Sequence, residues 1–120
     1  MPADLGLPKT TFNVVSLSVT EKRSPTYDLA AFKSSCSTVL KLNITFTAAQ
    51  AALDLGFTQE DVVSVIQTMS RSQFYKSMTS NADSKVWQDV YHVPSGVGIL
   101  YVKFTADAVS QFRLLSFKEK

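Results

Sequence analysis

Residues 85–118, KVWQDVYHVPSGVGILYVKFTADAVSQFRLLSFK, decide the fold. Three runs within them, Lys85 to Tyr91, Val97 to Thr105 and Gln111 to Lys118, are rich in aromatic and β-branched residues. Pro94, Ser95 and Gly96 part the first two, and Ala106, Asp107 and Ala108 the last two, so the stretch predicts three sequential strands in an antiparallel meander. Successive side chains of a strand point to opposite faces. In the second run this sends Leu100, Val102 and Phe104 to the covered face and Tyr101, Lys103 and Thr105 to the other. In the third it buries Leu115 and Phe117 and turns Ser116 and Lys118 outward with Leu114. In the first, Gln88 shares a face with Val86 and Val90, and Trp87 with Asp89 and Tyr91.

What precedes the meander reads mainly as helix. Ser24 is a good N-cap and Pro25 suits a first helical position, with Leu29, Phe32, Lys33 and Cys36 following, which predicts a helix near 25–36. Residues 38–45, TVLKLNIT, alternate Leu40, Leu42 and Ile44 and predict a short strand. Thr47 then caps a helix over 48–55 that Gly56 ends. Thr58 with Asp61 makes a capping box, and Val62, Val63, Ile66 and Met69 lay an apolar stripe over the helix that follows. Ser70 with Gln73 repeats the box and predicts a short helical turn carrying Phe74, Tyr75 and Lys76. Helices first and a meander last give an α+β fold, an antiparallel sheet with helices packed on one face. Residues 1–20 stand apart as an N-terminal extension: the period-2 alternation of Val15, Leu17 and Val19 suits an edge strand, and the Ser/Thr content equally suits a flexible arm.

Composition narrows the chemistry. At 120 residues and 45% hydrophobic, the chain can build one core and has no room for a second. No window approaches the length of a spanning helix, and MPADLGLPKT lacks the order of a signal peptide, so a soluble cytoplasmic protein without membrane contact is expected. The lone Cys36 excludes an intrachain disulfide, and with the lone His92 it cannot supply a structural zinc site. Two-histidine acid/base chemistry is excluded for the same reason. The net charge of +2 says little, but its distribution says more. Residues 71–120 hold seven Lys/Arg against four Asp/Glu, whereas residues 1–70 hold five against six. A mildly basic second half suits an anionic partner, and an ordinary solvated surface would look similar.

If the face of Gln88 matches that of Tyr101 and Lys118, one open sheet surface carries an amide, a phenol and an ammonium, and Lys76 projects over it from the preceding turn. That set is a poor metal site and a good phosphate site, because it offers donors and cations rather than clustered carboxylates. It fits RNA cleavage by the substrate's own 2′-OH. That reaction needs a group to take the proton, charge to stabilise the phosphorane and a group to protonate the leaving 5′ oxygen, giving 2′,3′-cyclic phosphate and 5′-OH ends. Lysine and tyrosine can do all three if their pKa values fall. Lys and Tyr are also commonplace on exposed sheet faces. His92, at a strand end before Pro94, is a candidate phosphate or base contact or a plain surface histidine. Trp87 and Tyr91 could stack a base, although packing suits Trp87 better. Asn43-Ile44-Thr45 matches a glycosylation acceptor only by chance, and Cys36 reads as a small buried hydrophobe.

The blocks FYKSMTSNADSKVWQDVY (74–91), LLSFKEK (114–120) and EKRSPTYDL (21–29) strongly resemble the MqsR family of bacterial toxins, over residues 21–120. The resemblance implies a RelE-like α+β domain and a sequence-preferring mRNA endoribonuclease, or mRNA interferase, that needs no metal or cofactor. It implies a toxin of a type II toxin-antitoxin system that acts in the cytoplasm by stopping translation. Its partners would be mRNA and a zinc-binding MqsA-type antitoxin, whose complex binds operator DNA through the antitoxin. Residue by residue, it points to Lys76, Gln88, Tyr101 and Lys118 as catalytic, the same four that parity gathers. Lys103 and His92 are added as RNA contacts, His92 standing where the family commonly has arginine. Two other readings accompany this one: a non-catalytic RNA-binding regulator, and a catalytically dead homologue that titrates antitoxin.

Overall fold

The structure, a computed structural model, describes residues 20–80, 85–107 and 111–120. Strands β1 (Glu21–Lys22), β2 (Phe74–Thr79), β3 (Trp87–Ser95), β4 (Gly98–Ala106) and β5 (Phe112–Glu119) form one sheet in chain order, every neighbouring pair antiparallel. Helices α1 (Leu29–Ser35), α2 (Phe46–Asp54) and α3 (Gln59–Thr68) fill the chain between β1 and β2, and a 3-10 turn (Arg71–Gln73) leads into β2. The expected α+β class and the meander are present. The N-terminal extension up to Val19, with its alternating Val15, Leu17 and Val19, lies outside the described residues, as does Ala108.

One core lies between helices and sheet. Phe32, Cys36, Ala48, Ala52, Val62, Ile66 and Met69 from the helical layer meet Tyr91, Val93, Leu100, Val102, Phe104, Leu114 and Phe117 from the strands. Phe32 stacks on Phe104 at 3.7 Å between ring centroids, and Phe112 meets both rings edge-on.

Each helix starts where a side-chain oxygen can take an orphan N–H. Asp28, not Ser24, caps α1, accepting from the Ala31 N–H at 3.0 Å. Residues 25–27 are held elsewhere: the buried Asp89 carboxylate accepts the N–H groups of Thr26 and Tyr27 at 2.9 to 3.1 Å, which keeps this segment out of the helix. Thr45 rather than Thr47 caps α2, and Gly56, at φ +89°, follows it in the left-handed region where a Cβ is strained. The Thr58 and Asp61 capping box of α3 is as expected, with bonds of 3.1 and 2.9 Å.

Three strand expectations are corrected. Residues 38–45 form turns, and only Ile44 bridges the sheet, in parallel to Leu114; Leu40 is 99% exposed. The turn begun at Ser70 ends at Gln73, so Phe74, Tyr75 and Lys76 belong to strand β2. In β5 a register shift pairs Lys103 with Ser116 but Phe104 with Leu114, so Leu115 is the extra residue of a bulge, and Leu114 joins Phe117 in the core. Asp89→Ala is expected to destabilise the fold by about 3 kcal/mol, because two part-buried N–H groups lose a charged acceptor. Urea denaturation checks this, and an unchanged midpoint would show that the β1 to α1 segment is held by other contacts.

Candidate active site on the open sheet face

The face of the sheet turned away from the helices is built in rows by the strand register. Glu21, Met78 and Gln88 form one row, Lys76, Val90, Lys103 and Ser116 the next, and His92, Tyr101 and Lys118 the third. Cross-strand partners share a face and sit about 5 Å apart at Cβ. All six candidates from the sequence, Lys76, Gln88, His92, Tyr101, Lys103 and Lys118, thus stand on one surface, drawn from four strands. The face is open: a hollow of about 440 Å³ lined by Asn43, Val86, Asp107 and Arg113 contains none of the six.

A bulge at the start of β2 adds detail that alternation does not predict. Phe74 pairs with Tyr91 and Lys76 with Val90, leaving Tyr75 as the extra residue. Phe74 packs edge-on against Tyr91 on the core side, and Tyr75 stacks on His92 at 4.2 Å, with His92 6.2 Å from Tyr101. Cations border this line of rings. Arg23 and Lys76 lie 5.7 and 5.3 Å from the Tyr75 ring, and Lys118 lies 5.2 Å from that of Tyr101. Flat rings edged by positive charge can stack bases and hold phosphates together. Trp87, by contrast, lies under the Lys22 ammonium at 4.3 Å, and Tyr91 is fully buried, so neither is on this platform.

The charges are differentiated. Lys76 donates to Glu21 at 2.5 Å, and this bond lifts the Lys76 pKa above the ordinary lysine value and lowers that of Glu21. Lys76 is therefore a fixed cation. Burial pushes the Lys103 ammonium below the usual value, with help from Lys118 and Lys76. Burial also raises the Tyr101 phenol, and lowers His92 together with Lys120 and Lys76, so both are neutral at pH 7. Gln88, 9% exposed, lies one row from Lys76. Among the described residues no three His, Cys, Asp or Glu side chains gather to hold a metal ion.

These residues sit within a matched family span. The family described as "Motility quorum-sensing regulator, toxin of MqsA" matches residues 24–119. The chain belongs to this family. Among curated proteins, the "mRNA interferase toxin MqsR" of Escherichia coli (strain K12) is 36% identical over 100 residues, which is 83% of this chain and 99% of that protein. In this MqsR family member, sequence reasoning missed two residues of the face. Tyr75 was hidden because a bulge breaks period-2 parity. Glu21 was hidden because it lies 55 positions from Lys76 and carries the sign opposite to that sought. The EKR segment did carry a signal, since an acid beside two bases at a chain crossing is a natural ion-pair donor. No described helix is long and apolar enough to cross a membrane.

Proposed function

We propose that this chain is the toxin of a type II toxin-antitoxin pair, an mRNA endoribonuclease acting in the cytoplasm through residues 21–120. The observation that carries this reading is the register, which brings Lys76, Gln88, Tyr101 and Lys118 to one open face from four different strands. Family membership supplies the rest of the support, an RNA substrate and an MqsA-type antitoxin as partner, and in this reading the antitoxin carries the complex to operator DNA.

The face suits transesterification by the 2′-OH, which needs no metal. Lys76 and Lys118 are placed to bind the phosphate and stabilise the phosphorane charge. Gln88 positions the scissile group with its amide. Tyr101, or a lysine of lowered pKa, moves the protons. The Tyr75 and His92 stack receives a base, with neutral imidazole where an arginine would add charge. The test is cleavage of a defined RNA by purified protein in EDTA, beside Lys76→Ala, with product ends identified. Products with 2′,3′-cyclic phosphate and 5′-OH ends that vanish in the variant support the reading, whereas intact RNA with the wild type rejects it for free transcripts.

Glu21 makes a second expectation. Its carboxylate stands on Lys76 where a phosphate would bind, and its side chain is still 45% exposed, so substrate can displace it. Glu21→Gln removes a competing anion. The variant is expected to bind a non-cleavable 2′-deoxy analogue several-fold more tightly, with a steeper salt dependence. Fluorescence anisotropy at two salt concentrations reads this, and equal affinities would show that the pair does not occupy the phosphate position.

A further inference from the structure

Lys103 differs from every other cation on the open face. It lies in the middle of the row Lys76, Val90, Lys103, Ser116, so its direct cross-strand neighbours are a fully buried valine and a serine. Neither carries a negative charge to offset an ammonium. The one carboxylate that the register puts on this face of the described strands, Glu21, is engaged by Lys76. The charged and titratable groups facing Lys103 are Glu21 from β1, Tyr75 and Lys76 from β2, His92 from β3, Tyr101 from β4 itself, and Arg113 and Lys118 from β5. Three of these are cations, and the stem of Lys103 is itself partly buried. A row position without an acid, between Lys76 and the diagonal Lys118, disfavours a further positive charge.

We propose that Lys103 is the general base of the reaction, its neutral amine taking the proton from the attacking 2′-OH. This assignment rests on the RNA-cleaving function proposed above and deepens it. The Lys103 Nζ accepts the 2′-OH proton and becomes an ammonium as the 2′ oxygen forms its bond to phosphorus. The P–O5′ bond breaks, and the leaving oxygen takes a proton from the Tyr101 phenol. Solvent returns a proton to Tyr101 and removes the one on Lys103, closing the cycle. Lys76, held as a cation by Glu21, cannot play the base, and Tyr101, with its raised pKa, serves as the acid. Burial, with Lys118 and Lys76 beside it, moves the Lys103 pKa downward, the direction a lysine base requires.

Two readouts on the full chain test this. The first follows the side-chain NMR signals of the lysines against pH, with Lys103 assigned by Lys103→Arg. The Lys103 signal is expected to titrate lowest among the lysines, and to move upward in Lys118→Gln because a neighbouring cation is gone. Titration together with the surface lysines overturns the assignment whether or not the protein cuts RNA. The second is the pH–rate profile of cleavage. Lys103→Arg keeps a cation but cannot give it up, so it is expected to lose about a hundredfold in rate. It should still bind the 2′-deoxy analogue, and added ethylamine should restore part of the rate to Lys103→Ala. A Lys103→Arg protein that cuts at the wild-type rate overturns the base role alone, and leaves the proposed function standing. A wild type that cuts no RNA overturns that function and the base role with it.

Discussion

Tyr101→Phe is expected to cut RNA about a hundredfold more slowly than the wild type, with an unchanged melting transition. The change removes one oxygen. The ring keeps its packing, its place beside His92 and its contact with the Lys118 ammonium at 5.2 Å, since a cation meets the face of phenylalanine as it does that of tyrosine. What is lost is the phenol O–H. Partial burial raises its pKa above the ordinary tyrosine value, so the phenol is protonated near neutral pH and is suited to donate a proton rather than take one. Its loss should lower the rate with no new inflection between pH 6 and 9. Lys118→Ala is the companion, expected to cost about a hundredfold or more by withdrawing a charge from the phosphorane. Single-turnover cleavage with thermal melts of all three proteins checks both. Wild-type rates with matching melts would remove either residue from the mechanism.

The second large effect is on stability. Phe32→Ala should destabilise the protein by about 4 kcal/mol. Phe32 is fully buried at the meeting point of α1, β4 and β5, with its ring within 3° of parallel to Phe104 and edge-on to Phe112. Two rings fixed by strands cannot close on the space left behind, so the cavity persists. Phe32→Leu fills most of it and should cost about 1 to 2 kcal/mol. Denaturant unfolding reads both, with the slope unchanged because the surface exposed on unfolding is nearly the same. A loss below about 2 kcal/mol for the alanine variant would mean that α1 moves in to fill the gap.

Local rules read the sheet well. Alternation in β4 needed nothing from outside the strand, and its buried Leu100, Val102 and Phe104 and outward Tyr101 and Lys103 stand where parity puts them. Strands β2 and β5 each carry a bulge, and parity fails there because one inserted residue reverses every face beyond it. Tyr75, Leu114 and Leu115 were obscured for that reason. The start of α1 failed differently. Ser24-Pro25 is a sound start signal, but Asp89, more than 60 positions away, binds the next two N–H groups and delays the helix to Asp28. Residues 38–45 alternate without a partner strand to reward the pattern, so it comes to nothing beyond Ile44. The site was legible through its cations, its amide and its phenol. The charge state of each lysine was not, because it depends on which strand brings the single acid, and that is settled by β1 crossing to β2.

That crossing also orders the assembly of the protein. Strands β2 to β5 pair with their neighbours in the chain, whereas β1 reaches β2 only by closing a loop that holds all three helices. Closing that loop costs entropy, and two residues of ladder with the bond from the Thr79 N–H to the Thr20 carbonyl offer little in return. The edge at β1 is therefore the last part of the sheet to form and the first to fray. Amide exchange at Thr79 should outrun exchange in the centre of β4. Each opening also releases Lys76 from Glu21, so the hold on that cation is only as lasting as the weakest strand in the sheet.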